Sequence, residues 1–160
     1  MGTSDQTPDL GALPGADAPG AIPAIRPRLL IVDDEKAITD TLARFFEFEG
    51  YSVITVNDPY SALKAVSRES VFVVISDIAM PGMSGVELLK RIKQYNGMIQ
   101  VIMITGFVTL ENILTCLRYG ADECYLKPLS DLGVLKRAVD EALAKLRRWQ
   151  DLMLEISRNR

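Results

Sequence analysis

Val71-Phe72-Val73-Val74-Ile75-Ser76-Asp77 is the stretch that decides the fold. Its apolar run, mostly β-branched, shows no polar alternation, which is the pattern of a strand buried on both faces of a sheet. It ends abruptly in a hydroxyl and a carboxylate. Beyond it lie a Pro81-Gly82 turn, Ser84 as a helix cap, and Val86, Leu89 and Ile92 at helical spacing. Working outward, the same strand-then-helix unit recurs. Upstream, Arg28 to Val32 runs into Asp33-Asp34, followed by a helix through Ile38, Leu42, Phe45 and Phe46 that Gly50 closes. Tyr51 to Val56 forms the next strand, with Asn57 or Asp58 as cap and Pro59 in the first turn of a helix through Leu63 and Val66. Downstream, Ile99 to Ile104 ends in Thr105-Gly106 before a helix around Leu110 to Leu117 that stops at Gly120. Glu123 to Leu126 then ends in Lys127-Pro128. Strands of this kind alternating with amphipathic helices predict an α/β fold: a doubly wound, five-stranded parallel sheet covered on both faces.

Composition narrows the function. The chain has 160 residues, room for one domain and a tail. Its 18 basic and 21 acidic side chains give a net charge of −3, against direct capture of nucleic acid, which needs a clustered basic face. No apolar run approaches the roughly 18 residues of a membrane span. Histidine is absent, which removes every mechanism that uses an imidazole base, nucleophile or metal ligand. Cys116 and Cys124 have neither CxxC spacing nor a second pair, so they are expected as reduced core thiols. Met1-Gly2 opens like an acylation site, but Gln6 stands where Ser or Thr is required. With no secretory signal visible, a cytoplasmic location is expected.

Both ends depart from this pattern. Residues 1–27 carry Pro8, Pro14, Pro19, Pro23 and Pro27 among Gly, Ala and Asp, a composition predicted to form a disordered leader. The last helix starts after Ser130 and runs on through Leu132, Leu135, Val139, Ala142, Leu146, Trp149, Met153 and Ile156, spaced by alternating threes and fours. Residues 28–146 are therefore the expected domain and 147–160 a helical extension. That extension either packs on its own domain, or pairs with a second chain as a coiled coil, or links to an output domain.

The chemistry gathers at the strand ends, where open α/β sheets bind ligands. Asp33 and Asp34 close the first strand, Asp77 the third, Thr105 the fourth and Lys127 the fifth. Three neighbouring carboxylates either hold protons or bind a cation. With oxygen ligands alone the cation is hard, Mg²⁺ foremost, with Mn²⁺ as a substitute. Mg²⁺ usually takes one or two carboxylates plus a phosphate oxygen, so the other half of this site is expected to be a phosphoryl group. Lys127 and Thr105 are placed to contact its oxygens, and Asp77, standing apart from the Asp33-Asp34 pair, is the candidate nucleophile.

Val32-Asp33-Asp34-Glu35, the run from Ser76 to Gly85, Ile104-Thr105-Gly106 and Tyr125-Leu126-Lys127-Pro128 occur in an order and spacing that resemble the receiver domain of bacterial two-component response regulators. The resemblance implies a flavodoxin-like strand order, 2-1-3-4-5, and a phosphoryl group accepted on Asp77 from a histidine kinase or phosphotransfer protein. It also implies Mg²⁺ held by Asp33, Asp34, Asp77 and the Ala79 carbonyl, and a cis Lys127-Pro128 peptide. Thr105 and Tyr125 are the implied switch pair that carries the phosphorylation state to a downstream protein partner or output domain. Ala79 and Phe107 occupy the two positions that line the approach of hydrolytic water, and neither can orient it. A homodimer through the C-terminal helix is a further expectation. Two other readings remain: a phosphorylation-independent interaction module, and a Mg²⁺-dependent phosphohydrolase, which would want an Asp-x-Asp pair that Asp77-Ile78-Ala79 lacks.

Overall fold

A computed structural model of the chain describes residues 28–106 and 109–159. The expected leader at 1–27 and the Phe107 position lie outside the described residues. Five strands and five helices alternate: β1 (Arg28–Val32), α1 (Lys36–Phe48), β2 (Val53–Val56), α2 (Pro59–Arg68), β3 (Val71–Asp77), α3 (Gly85–Tyr95), β4 (Gln100–Thr105), α4 (Leu110–Arg118), β5 (Glu123–Leu126) and α5 (Leu132–Arg158). All strand pairs are parallel, in the order β2-β1-β3-β4-β5. The central strands β1, β3 and β4 are almost wholly buried, as their unbroken apolar runs require. The edge strands are half-exposed, since one side of each has no neighbouring strand.

The two faces of the sheet carry separate cores. Leu30, Val32, Val74, Val101 and Met103 pack with Ala62 and Val66 of α2, Leu88, Leu89 and Ile92 of α3, and Cys116 of α4. Alternate residues Leu29, Ile31, Ile75, Ile102 and Ile104 pack with Leu42 and Phe46 of α1 and with Leu135, Val139, Ala142 and Leu146 of α5. Each fully buried aliphatic side chain contributes about 1.5–3 kcal/mol, so these central strands dominate the stability. Both thiols are free; Cys116 is buried and Cys124 half-buried.

The helix starts are set locally. Asp58, not Asn57, caps α2, accepting the Ser61 N–H at 2.8 Å, while Pro59 takes the first turn. Ser84 caps α3 through the Glu87 N–H. The cap of α5 is Asp131, one residue later than Ser130, and it accepts the Gly133 N–H at 2.8 Å. Gly50 and Gly82 adopt φ of 91° and 83°, the left-handed conformation that a helix stop and a tight turn demand and that glycine adopts without strain.

Candidate functional site

Parallel register carries the carboxyl ends of β1, β3, β4 and β5 to one edge. Val32 pairs with Ser76, Asp77 with Ile104, and Thr105 with Leu126. The next residues, Asp33 and Lys127, therefore project into the same space as Asp77. Lys127 Nζ donates to Asp33 Oδ2 at 2.6 Å and to Asp77 Oδ2 at 3.2 Å. Oxygen atoms of Asp33, Asp34 and Asp77 lie within 4.8 Å of one another. Asp33 and Asp77 are buried and Asp34 is exposed at the mouth. Thr105 is fully buried at the end of β4, and its carbonyl accepts the Lys127 N–H at 2.8 Å.

The surroundings hold these carboxylates in place. Asp33 Oδ1 accepts the Glu35 N–H at 2.9 Å, and Asp77 Oδ1 accepts the Ala79 N–H at 3.3 Å. The Asn57 side chain, read from the sequence only as a possible cap, donates to the Asp33 carbonyl at 2.9 Å and to Thr39 Oγ1 at 3.0 Å. It thereby ties the β2–α2 turn to the end of β1. Its partners lie 24 and 18 residues away, so no local signal marks the role. Gly85 is a second contributor whose role was invisible. Its N–H donates to the Ile78 carbonyl at 2.8 Å, and α3 begins so close to β3 that a Cβ there would run into the backbone of Asp77 and Ile78. The Lys127-Pro128 peptide is cis, as the resemblance implied.

Electrostatics set the chemistry. Burial lifts the Asp77 carboxyl above the usual carboxylate range; Lys127 pulls against this and the like charge of Asp33 adds to it. Burial opposes the charge on Lys127, but the hydrogen bond and charge of Asp33, joined by Asp77, outweigh it and hold the ammonium above the usual lysine range. Three carboxylates facing one ammonium leave two negative charges uncompensated. That all-oxygen donor set and its charge deficit fit a hard divalent cation. Tyr125 pairs with Ile104, packs half-buried against the core on the α5 side, and has its phenol raised by that burial. Beside it, α4 buries only Cys116 and leaves Leu110, Leu114 and Leu117 exposed, as is Leu126 on β5.

A doubly wound parallel sheet in the order 2-1-3-4-5, with a carboxylate trio and a lysine at the carboxyl edge where such sheets bind their ligands, defines a flavodoxin-like α/β domain. Residues 29–140 match the family model described as the response regulator receiver domain, and the chain belongs to that family. Among curated relatives, the response regulator SaeR of Staphylococcus epidermidis is 38% identical over 109 residues, 68% of this chain and 47% of that protein. The uncharacterized transcriptional regulatory protein YesN of Bacillus subtilis is 31% identical over 124 residues, 76% of this chain and 33% of its own length. The chain thus spans half or less of the length of these relatives. Among solved structures, a CheY-like receiver domain protein from Methanospirillum hungatei shares 34% identity at a TM-score of 0.72, covering 76% of this chain and 97% of that one. A receiver domain protein from Clostridium thermocellum shares 30% identity at a TM-score of 0.71, covering 79% and 98%. No helix among the described residues is long and apolar enough to cross a membrane.

Proposed function

We propose that Asp77 accepts a phosphoryl group from the phosphohistidine of a sensor histidine kinase or phosphotransfer protein, and that the resulting acyl phosphate switches a protein-interaction surface in the cytoplasm. A carboxylate oxygen of Asp77 attacks phosphorus, the P–N bond to the donor imidazole breaks, and that nitrogen keeps the electron pair and takes up a proton. Chain residues catalyse only this transfer to themselves and the hydrolysis of the acyl phosphate, in which water attacks phosphorus, the P–O bond to Asp77 breaks, and inorganic phosphate leaves. The observation that carries the reading is the Lys127 ammonium, held between Asp33 and Asp77, from which it can pair with a phosphoryl oxygen without leaving the site. Thr105 offers a hydroxyl at the same edge. Asp33, Asp34, Asp77 and the Ala79 carbonyl would hold Mg²⁺, or Mn²⁺ in its place, which when bound would supply the positive charge that a dianionic phosphoryl group needs beside three carboxylates.

The switch runs through Thr105 and Tyr125. A hydroxyl drawn toward new phosphoryl oxygens vacates space that the neighbouring ring can fill, so charge at Asp77 selects between two packings of the α4–β5 face. The exposed Leu110, Leu114, Leu117 and Leu126 make that face apolar enough to bind a downstream protein partner or output domain. By the family resemblance, positions 79 and 107 line the approach of hydrolytic water, and neither an alanine nor a phenylalanine can orient it, which favours a long-lived acyl phosphate. Ala79→Asn combined with Phe107→Glu should shorten its lifetime, and an unchanged lifetime refutes the assignment. The decisive experiment is intact-mass spectrometry after incubation with Mg²⁺ and acetyl phosphate. A phosphate-sized gain that disappears with Asp77→Asn and with a chelator is the expected result. No gain from acetyl phosphate or from a panel of histidine kinases refutes the proposal in favour of a phosphorylation-independent interaction module.

A further inference from the structure

The loop that carries Asp33 and Asp34 is held by a closed ring of hydrogen bonds. The Asp33 N–H donates to the Val56 carbonyl at 3.3 Å, and the Asp33 carbonyl accepts Asn57 Nδ2 at 2.9 Å. The same Asn57 amide donates to Thr39 Oγ1 at 3.0 Å, and the Thr39 hydroxyl donates in turn to the Lys36 carbonyl at 3.0 Å, in the first turn of α1. The Thr39 N–H returns to the Glu35 carbonyl at 3.3 Å, and the Glu35 N–H to Asp33 Oδ1 at 2.9 Å. Asn57 belongs to neither β1 nor α1, yet its side chain fastens the end of one to the start of the other.

The three carboxylates depend on this ring unequally. Asp33 is also gripped through its own side chain, by Lys127 Nζ at 2.6 Å, and Asp77 by Lys127 Nζ and the Ala79 N–H. Asp34 is exposed at the mouth, and its carboxylate has no hydrogen bond to any of the described residues. Its backbone therefore decides where it stands. The peptide that precedes it is the one whose carbonyl Asn57 holds, so a turn of that peptide swings Asp34 relative to Asp33, and the Asn57 bond opposes the turn.

We propose that Asn57, backed by Thr39, is a positioning residue for the cation site and sets its preference for Mg²⁺ over Ca²⁺. The proposal rests on Asp33, Asp34 and Asp77 being the carboxylate ligands. Mg²⁺ demands near-ideal octahedral geometry at about 2.0–2.1 Å, whereas Ca²⁺ accepts longer bonds, of about 2.3–2.6 Å, in a flexible arrangement. A loop free to turn about the Asp33–Asp34 peptide offers ligand positions that Ca²⁺ tolerates and Mg²⁺ does not. Groups that orient metal ligands without touching the metal are commonly worth roughly 10–100-fold in affinity, so the effect is large enough to measure.

The test is titration calorimetry of the full, unphosphorylated chain with Mg²⁺ and, separately, with Ca²⁺. Asn57 is exposed, and the α2 cap is made by Asp58 with the Ser61 N–H, so Asn57→Ala leaves the helix start intact. It should raise the Mg²⁺ dissociation constant about tenfold while changing that for Ca²⁺ by less than about twofold, and the ratio of the two is a readout that a general loss of stability does not move. Thr39→Val should weaken Mg²⁺ less than Asn57→Ala does and should add nothing to it, because Thr39 acts through the Asn57 amide. Thr39→Ser keeps the hydroxyl and should retain the Mg²⁺ affinity. Equal losses for both cations overturn the inference, as does an Asn57→Ala protein with unchanged Mg²⁺ affinity; both leave the cation site itself standing. An unmodified chain that binds neither cation overturns the cation site, and the inference with it.

Discussion

Replacing Gly85 by alanine should cost this protein about 3 kcal/mol, although alanine is the better helix former. The added Cβ would lie 2.8 Å from both the Asp77 carbonyl carbon and the Ile78 Cα, and closer still to the Asp77 carbonyl oxygen, where ordinary contact begins at 3.4 Å. Those atoms are backbone in the buried end of β3, so they cannot rotate aside; α3 must retreat instead. Retreat lengthens the 2.8 Å bond from the Gly85 N–H to the Ile78 carbonyl, a loss of about 1 kcal/mol. Overpacking adds about 1–3 kcal/mol, and the gain in helix propensity returns at most about 1 kcal/mol, less at a first helical residue. The steric term wins. Against a total stability of about 5–15 kcal/mol, the melting temperature should fall by roughly 10 °C, measured by circular dichroism. Phosphoryl uptake from acetyl phosphate should fall as well, because the displaced backbone belongs to Asp77. Gly106→Ala is the control for folding: its Cβ meets Lys127 Cβ at 3.8 Å, an ordinary contact, and its melting temperature should match the unmodified chain. A Gly85→Ala protein melting within about 2 °C of the unmodified chain would refute the reasoning.

Removing Lys127 leaves the fully buried Asp33 carboxylate without its 2.6 Å partner; Lys127→Ala should cost about 3 kcal/mol in chelator, read by urea denaturation, with part regained on adding Mg²⁺. Mg²⁺ itself should stabilise the unmodified chain by about 2.7 kcal/mol at a hundred times its dissociation constant, and a melting temperature indifferent to Mg²⁺ would contradict the metal assignment. Asp77→Asn should stabilise the metal-free protein near neutral pH. The folded state holds the Asp77 carboxyl above its unfolded value of 3.8, so its favourable contribution is complete below that value and is lost as pH rises through the folded pKa. The advantage of the asparagine variant should therefore grow from acid to neutral pH in chelator, and an advantage that shrinks would show the sign to be wrong.

Much of the fold was legible because strand burial leaves a local mark. The runs at Leu29–Val32, Val71–Ile75 and Val101–Ile104 lack polar alternation, and only a two-sided sheet gives that pattern a low-energy home. Ser84 and Gly50 were equally readable, since caps and stops act within one turn. Asn57 and Asp58 were not separable by sequence, because either side chain can cap; Asp58 does so, and Asn57 is left to bind the Asp33 carbonyl and Thr39. Of the site, the residue types at the strand ends were legible, and the resemblance supplied the strand order, the roles and the cis proline. Asp122, which anchors β4, α3 and α5 together, gave no signal at all: its partners lie 21 to 29 residues away in three different elements.

What the sequence alone determined, then, was the alternation of strands and helices, the sheet buried on both faces, and the residue types at the strand ends, three carboxylates, a hydroxyl and a lysine, on which the proposed hard-cation and phosphoryl chemistry rests. These follow from periodicity and side-chain type, which act over a few residues. Only the tertiary structure decided that Lys127 bridges Asp33, 94 residues away, and Asp77, 50 residues away. It alone decided that position 85 has no room for a side chain, because α3 starts against the backbone of Asp77 and Ile78. Each of these depends on strand register and helix docking, which the whole chain fixes together through its two cores and which no short segment encodes by itself.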